Sequence, residues 1–326
     1  MQLVIDDFGT FVKKKQNRFE VARKEKTEEF SADKVSQIVL LKKGTISGSA
    51  VALAMEKNID VVYLDSFGKP IARIFPCTLG GTTLIRRRQA EATASLYAVP
   101  YVRAFVKSKM LNQAALLKSL NKTRNGLFLE RIREIERIIE KSEDAVGDYV
   151  DDLRSALIGY EGNVAAIYFD CIRALIPFGR RKRGAKDRFN SALNYAYGIL
   201  YSQIEKACLL AGLDPYLGFV HSDRYGKPSL VLDFIEQFRQ PIADRAVITI
   251  FVKKELADDS FIEEEIVQLS SKGKKKIVEA IYGRLSSEFT HNGKKMTFEK
   301  VIIDKAREFA GCILEMKEYE PFVHRW

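Results

Sequence analysis

His221 and the carboxylates of Asp233 and Glu236 fall within sixteen residues of one another in the stretch HSDRYGKPSLVLDFIEQFR, which begins at His221. The Gly-Lys-Pro turn in this stretch predicts that a helix follows it over residues 229–239. At 100° per residue, Asp233 and Glu236 are neighbours on one face of that helix, and the apolar residues share the other. The turn can fold His221 back over these carboxylates, and such a set of ligands suits Mg²⁺ or Mn²⁺. The alternative is a solvated acidic face with an incidental histidine.

A further acid, Glu161, lies in the segment LIGYEGNVAAIYF. Helical spacing places Glu161 on the apolar stripe with Leu157, Ile158, Ala165 and Tyr168. A carboxylate there needs a partner, because an unpaired buried charge is very costly. The glycines on either side leave room for another group to approach the backbone. We therefore predict that Glu161 is a metal ligand; the alternative is a buried salt bridge, with Arg154 as its partner.

The composition is that of an ordinary folded protein, and its charge favours a polyanionic partner. Of the 326 residues, 46% are hydrophobic and 29% charged, and the net charge is +10, which favours nucleic acid first and an anionic membrane surface second. The four cysteines form no CxxC pair, which argues against a zinc site and for a reducing compartment. There is neither a signal-peptide pattern nor an apolar run of membrane-spanning length, so we expect a cytoplasmic protein that does not bind membranes.

The pattern changes from strands to helices near residue 80, which predicts an α+β protein. A small N-terminal β-rich domain (1–75) is expected to be followed by a linker (76–82) and a larger all-α catalytic domain (83–326). Short strands and one small helix, over 47–57, are predicted before the linker, and amphipathic helices after it. The residues with candidate metal chemistry all lie in the α-helical domain.

The densest positive cluster lies between Glu161 and His221 in the sequence. Cations in a loop at this position could neutralise DNA phosphates without sequence preference. Exposed charge runs are also often plain solvated faces. The candidate DNA-binding residues are Arg180, Arg181, Lys182, Arg183, Lys186 and Arg188, with Arg239 beyond them. Residues 86–88, Lys107 and Lys109 could extend the surface. There is no GxSxG, Walker A or GxGxxG motif, so nucleophilic-serine and nucleotide chemistry have no support.

Several segments, in this order, resemble the CRISPR-associated integrase family, the catalytic subunit of the spacer-acquisition complex. GYEGNVAAIYF (159–169) is similar to the glutamate motif of that family, and DRFNSALNYAYGILYSQI (187–204) to its aspartate–asparagine–tyrosine helix. GFVHSDRYGKPSLVLDFIEQFRQPIADRAV (218–247) is similar to its histidine and aspartate–glutamate motifs. The resemblance spans most of residues 80–250.

The resemblance implies an enzyme and its ligands. Glu161, His221 and Glu236 match the positions where the family binds Mg²⁺ or Mn²⁺, and Asp233 matches the adjacent acid that lines or completes the catalytic site. The implied activity is metal-dependent endonuclease and integrase chemistry, in which a prespacer 3′-hydroxyl attacks a phosphodiester at a CRISPR repeat. The implied partners are double-stranded or branched DNA, a second copy of the chain in a homodimer formed through the β-rich domain, and a small companion adaptation protein.

Two other functions fit the same residues. One is a stand-alone nuclease for branched DNA, since cleavage and transesterification differ only in the nucleophile. The other is a non-catalytic DNA-binding scaffold in which the acids form a structural ion-pair network.

Overall fold

The computed structural model describes residues 1–5, 9–23, 26–41, 44–65, 67–68, 70–76, 82–181, 187–221 and 225–326. The chain divides into two units: Met1–Gly80 with Tyr197–Ser202, and Gly81–Ala196 with Gln203–Trp326. No helix in the described ranges is both long and apolar enough to cross a membrane.

The first unit consists of short strands, because β-branched and aromatic residues alternate with polar ones between turns. Its strands are β1 (Gln2–Ile5), β2 (Phe11–Lys15), β3 (Arg18–Ala22), β4 (Thr27–Ser31), β5 (Gln37–Leu41), β6 (Thr45–Ile46), β7 (Asp60–Leu64) and β8 (Pro70–Ile74), with helix α1 (Gly48–Glu56) between β6 and β7. One sheet has the order β1-β5-β7-β8 and the other β4-β3-β2-β6. In the first sheet β1, β5 and β7 are parallel and β8 is antiparallel to β7. Strands β4 and β6 were not predicted.

A buried ion pair lies in the first unit. Arg73 Nη1 on β8 is 2.5 Å from Asp60 Oδ1 on β7, and both side chains are only 7% exposed. Gln37 Nε2 donates to the other carboxylate oxygen of Asp60, and Arg73 also donates to the backbone oxygen and hydroxyl of Ser202. These bonds compensate the cost of removing both charges from water.

The second unit is mainly helical and carries the candidate site. Its helices are α2 (Thr82–Thr93), α3 (Ala98–Asn121), α4 (Leu129–Glu143), α5 (Val150–Arg173), α6 (Arg188–Leu210), α7 (Ser229–Phe234), α8 (Arg245–Val252), α9 (Ser271–Ser286) and α10 (Phe298–Glu315). Two hairpins that were not predicted, β9 (Phe261–Glu263) with β10 (Val267–Leu269) and β11 (Glu288–His291) with β12 (Lys294–Thr297), flank α9.

The helix predicted over residues 229–239 is shorter than expected. It ends at Phe234, and a 3₁₀ turn over Ile235–Gln237 and a π turn over Arg239–Asp244 follow it. The reason is Pro241, which has no N–H to donate to the carbonyl of Gln237 four residues earlier. The acids of this segment therefore sit on a short helix followed by an irregular turn, an arrangement often found at functional sites.

Asp60→Asn is expected to destabilise the first unit by about 3 kcal/mol, because it removes the carboxylate charge that lies 2.5 Å from the buried Arg73 guanidinium. Urea unfolding measures this change. The control is Asp33→Asn, which breaks the more exposed pair of Asp33 with Lys57 and should cost much less, because water screens an exposed ion pair. An equal loss in the free energy of unfolding in the two variants would show that the buried pair stabilises the unit no more than the exposed pair does.

Candidate active site

Glu161 and Glu236 are brought together by Lys109. Lys109 Nζ on α3 lies 2.5 Å from Oε1 of Glu161 on α5 and 2.8 Å from Oε2 of Glu236 in the 3₁₀ turn. Because both oxygens contact one nitrogen, they are no farther apart than the sum of those two distances. Arg239 Nη2 contacts the second oxygen of Glu236 at 3.1 Å. The carboxylates from α5 and from the 3₁₀ turn thus converge on one ammonium group, which α3 carries.

The surroundings of Glu161 agree with a site open on one side. Leu157, Val164 and Tyr168 on the same helix are buried, whereas the Glu161 side chain is 22% exposed. A Cβ atom added at Gly159 or Gly162 would meet no atom within 4 Å. The surface of α5 beside the carboxylate is therefore bare. Arg154, the partner considered in the sequence, pairs with Asp151 at 2.7 Å.

The pKa shifts follow from burial and charge together. Burial, the largest single influence, lowers the pKa of Lys109, but the carboxylates of Glu236 and Glu161 outweigh it and hold the pKa above 10.5. For Glu236 burial raises the pKa, and the attraction of Arg239 and Lys109 outweighs it and holds the pKa below 4.5. Glu236 is thus an anion, and Lys109 a cation, at neutral pH.

Asp233 on α7 is fully buried and holds the segment that carries His221. Its Oδ2 accepts hydrogen bonds from the backbone N–H groups of Phe219 (2.6 Å) and Val220 (2.9 Å). Its Oδ1 accepts from the backbone N–H of His221 at 3.1 Å and lies 2.5 Å from His221 Nδ1. Only glycine fits at Gly218, where a Cβ would lie 2.5 Å from the Cβ of Ser229. Asp233 therefore orients the imidazole of His221.

A pocket of about 290 Å³ contains these groups. One wall of the pocket is apolar and is formed by Phe105, Val106, Ile158 and Val220. The rest of the lining is polar or charged and consists of Lys109, Arg154, Lys227, Glu161, His221, Asp233 and Glu236. Asp233 directs Nδ1 of His221 toward itself, so Nε2 is the ring nitrogen that can bind a cation. The four predicted site residues, Glu161, His221, Asp233 and Glu236, thus line one cavity.

The donor atoms fit a hard cation, although an ammonium lies between them in this structure. Across the residues that the structure describes, no three His, Cys, Asp or Glu side chains already form a metal-binding cluster. Within the same part of the chain, the buried Oε2 of Glu236 accepts no well-directed hydrogen bond despite its 2.8 Å contact with Lys109. Two convergent carboxylates and an oriented imidazole are the donor types of a Mg²⁺ or Mn²⁺ site. Sequence reasoning placed Lys109 only on a positive surface. The sequence feature that could have indicated a buried position for Lys109 is that it lies among the apolar residues of α3.

The candidate DNA-binding residues lie in different surroundings. Arg181 Nη1 donates to Asn190 Oδ1 at 3.0 Å, and the backbone oxygen of Arg180 accepts from the same amide group. Arg188 contacts Asp258 and Glu263, each at 2.6 Å, and its guanidinium stacks on Phe261. Arg239 contacts Glu236 inside the site, and Lys182, Arg183 and Lys186 lie outside the described residues.

Comparisons with known proteins, by sequence and by fold, agree on one group. A family described as "CRISPR associated protein Cas1" matches residues 3–282. The chain is 32% identical to the CRISPR-associated endonuclease Cas1 1 of Archaeoglobus fulgidus, over the whole of both chains. Among solved structures it is similar in fold to a casposase bound to integration product (TM-score 0.80, 23% identity, 98% of this chain and 92% of that chain). It is also similar in fold to a Cas6-RT-Cas1–Cas2 complex (TM-score 0.79, 19% identity). That match covers all of this chain and 36% of the other chain.

Lys109→Met is expected to destabilise the second unit by roughly 2 kcal/mol at pH 7, less than a fully buried pair because each partner keeps some exposure. The folded-state pKa of Glu236 lies below 4.5, so its contribution is present above that pH and lost as pH falls through the folded pKa. The difference between variant and wild type should therefore shrink below about pH 4.5.

Urea unfolding at pH 7 and pH 4 measures that difference. The control is Lys107→Met on the same helix, which removes an exposed contact with Glu143 and should change the free energy of unfolding far less, because water screens that pair. A loss at Lys109 that stays constant with pH would contradict the electrostatic explanation.

Proposed function

Because the chain belongs to the Cas1 family of CRISPR-associated proteins, we propose that it is a divalent-metal-dependent DNA endonuclease and integrase that inserts DNA fragments as new spacers into a CRISPR array. The observation that carries the proposal is the convergence of Glu161 and Glu236 on one cation, beside an imidazole held by a buried aspartate. A relative named endonuclease, and the fold shared with a casposase bound to integration product, support the same chemistry.

The proposed reaction is a transesterification. The 3′-oxygen of the incoming strand forms a bond to phosphorus as the bond from phosphorus to the 3′-oxygen of the target strand breaks. The attacking hydroxyl loses its proton and the leaving oxygen gains one, so the number of phosphodiesters is unchanged. With water as the nucleophile, the same step is hydrolysis.

Glu161, Glu236 and His221 would hold Mg²⁺ or Mn²⁺ in this site. The bound ion supplies Lewis-acid stabilisation of the phosphoryl oxygens and activates the attacking hydroxyl or water. Asp233 fixes the orientation and the tautomer of His221 by accepting from Nδ1. Lys109, once released from the carboxylates, is a compact cation within reach of a phosphate oxygen.

The charge of the chain suits DNA as the substrate. The net charge is +10, and Arg154 and Lys227 line the same pocket as the acids, where they can contact backbone phosphates. The arginines at 180 and 181 are proposed to extend this contact. Arg188 would first have to leave Asp258 and Glu263.

The proposed assembly contains a second copy of the chain, joined through the β-rich unit, and a small companion adaptation protein. The Cas6-RT-Cas1–Cas2 complex with which the fold is shared supports the companion protein.

A non-catalytic DNA-binding scaffold is the second candidate, and one observation favours it. The acids do form an ion-pair network, with Lys109 between them and Arg239 beside them. A scaffold requires that this network persists when Mn²⁺ is present.

A strand-transfer assay tests the proposed function. Labelled prespacer DNA and a supercoiled plasmid carrying a repeat are incubated with the chain and its companion protein, with Mn²⁺ or with EDTA. We expect joining that requires Mn²⁺ and falls at least 100-fold in His221→Ala, because the imidazole ligand is lost. The control is His291→Ala, a histidine on β11 outside the pocket, which should keep full activity.

The other outcomes separate the alternatives. Nicking without joining, in the presence of the companion protein, would replace the integrase by a stand-alone nuclease. DNA binding with neither reaction would leave the scaffold.

A further inference from the structure

Residues 317–326, which follow α10, have no regular secondary structure, and we call them the strap. The strap lies outside residues 3–282, the range that the Cas1 family matches. Tyr319 and Phe322 are buried, at 4% and 0% exposure. The ring of Phe322 stacks on Phe238 at 5.3 Å, and the ring of Tyr319 packs against Phe105 and Phe234. The strap is therefore part of the core beneath the segment that carries the site.

The strap bonds to the residue next to Glu236. Gln237 is fully buried, and its Oε1 accepts hydrogen bonds from the hydroxyl of Tyr319 (3.0 Å) and from the backbone N–H of Phe322 (2.8 Å). Successive side chains of a helical turn point in directions about 100–120° apart. Holding Gln237 to the strap thus fixes the rotation of the turn that directs Glu236 into the pocket.

Asn112 on α3, the helix that also carries Lys109, bonds both to the turn at Gln237 and to the strap. It lies three residues after Lys109 on α3 and is 1% exposed. Its Nδ2 donates to the backbone oxygens of Gln237 (3.0 Å) and Phe322 (2.9 Å), and its Oδ1 accepts from the backbone N–H of His324 (2.8 Å). The carbonyl of Gln237 is the one that Pro241 leaves without a helical partner. One amide therefore replaces that missing bond and pairs with the strap as a neighbouring strand would.

We propose that the strap, through Asn112 and Gln237, is the device that holds Glu236 at the distance from Glu161 required to bind a divalent cation. Gln237, Asn112 and Tyr319 are positioning residues, since none of them lines the pocket. The inference rests on the proposed function, and it assigns a role in the site to a segment far from the site motifs in the sequence.

The competing explanation is that these bonds only stabilise the fold. In that case, removing any comparable bond of the strap would have the same effect on the site. The chain offers a matched comparison: the hydroxyl of Tyr101 on α3 also donates to the beginning of the strap, at Lys317 O (2.9 Å), and to Cys312 O (3.1 Å), and contacts neither Gln237 nor Asn112 in those bonds.

The test measures Mn²⁺ binding by electron paramagnetic resonance of the free ion, on the full chain without DNA and well below its thermal midpoint. Gln237→Met removes both side-chain acceptor bonds and should raise the Mn²⁺ dissociation constant about tenfold. Tyr319→Phe removes one of them, keeps the ring and should raise it about threefold. Tyr101→Phe should leave the dissociation constant within about twofold of wild type, even if it lowers the thermal midpoint as much as Tyr319→Phe does.

A double variant adds a readout that general destabilisation would not produce. Because Tyr319→Phe acts only through Gln237, it should not weaken Mn²⁺ binding further in the Gln237→Met background. If Gln237→Met does not fold, Tyr319→Phe and Tyr101→Phe still give the comparison. Unchanged Mn²⁺ affinity in Tyr319→Phe, or an equal loss in Tyr101→Phe, would overturn the inference. A wild-type chain that binds no Mn²⁺ would instead overturn the proposed function, and this inference with it.

Discussion

The contact of one ammonium group with two carboxylates, between Lys109 and the glutamates at 161 and 236, is the interaction on which the site depends. It joins α3, α5 and the turn after α7, which are distant in sequence. Two carboxylates this close repel each other unless positive charge lies between them. The site therefore requires positive charge at its centre, and Lys109 supplies it in this structure. A divalent ion can supply it more strongly and leave the lysine free for phosphate.

Much of the site was predictable because its elements follow local rules. The apolar spacing around Glu161 predicted a helix, and the cost of a buried carboxylate predicted that this side chain would have a partner. The turn before α7 predicted that His221 folds back toward the acids, and its ring does lie beside Asp233. The α+β order of the two parts also followed from the change in periodicity near residue 80. These features depend on residues close together in sequence.

The remaining features depend on contacts between distant segments, which a pattern in one segment does not encode. Lys109 looked like one more surface cation, because its partners come from two other elements. The full burial of Asp233 is compensated by the backbone N–H groups of Phe219 and Val220, 14 and 13 residues earlier, and not by its own helix. The end of that helix at Phe234 reflects Pro241. The carbonyl of Gln237 is instead bonded by Asn112, which lies 125 residues before Gln237 in sequence.

The Lys109 ammonium is proposed to mark a cation site that a divalent metal can occupy. A crystal structure of the chain soaked in Mn²⁺, with anomalous diffraction recorded near the manganese absorption edge, tests this proposal most directly. We expect one anomalous peak in contact with Glu161, Glu236 and the Nε2 atom of His221, and a lysine ammonium that has moved away from both carboxylates. An unoccupied site at saturating Mn²⁺, with Lys109 still bonded to both glutamates, would contradict the proposed metal site and favour the structural ion-pair network.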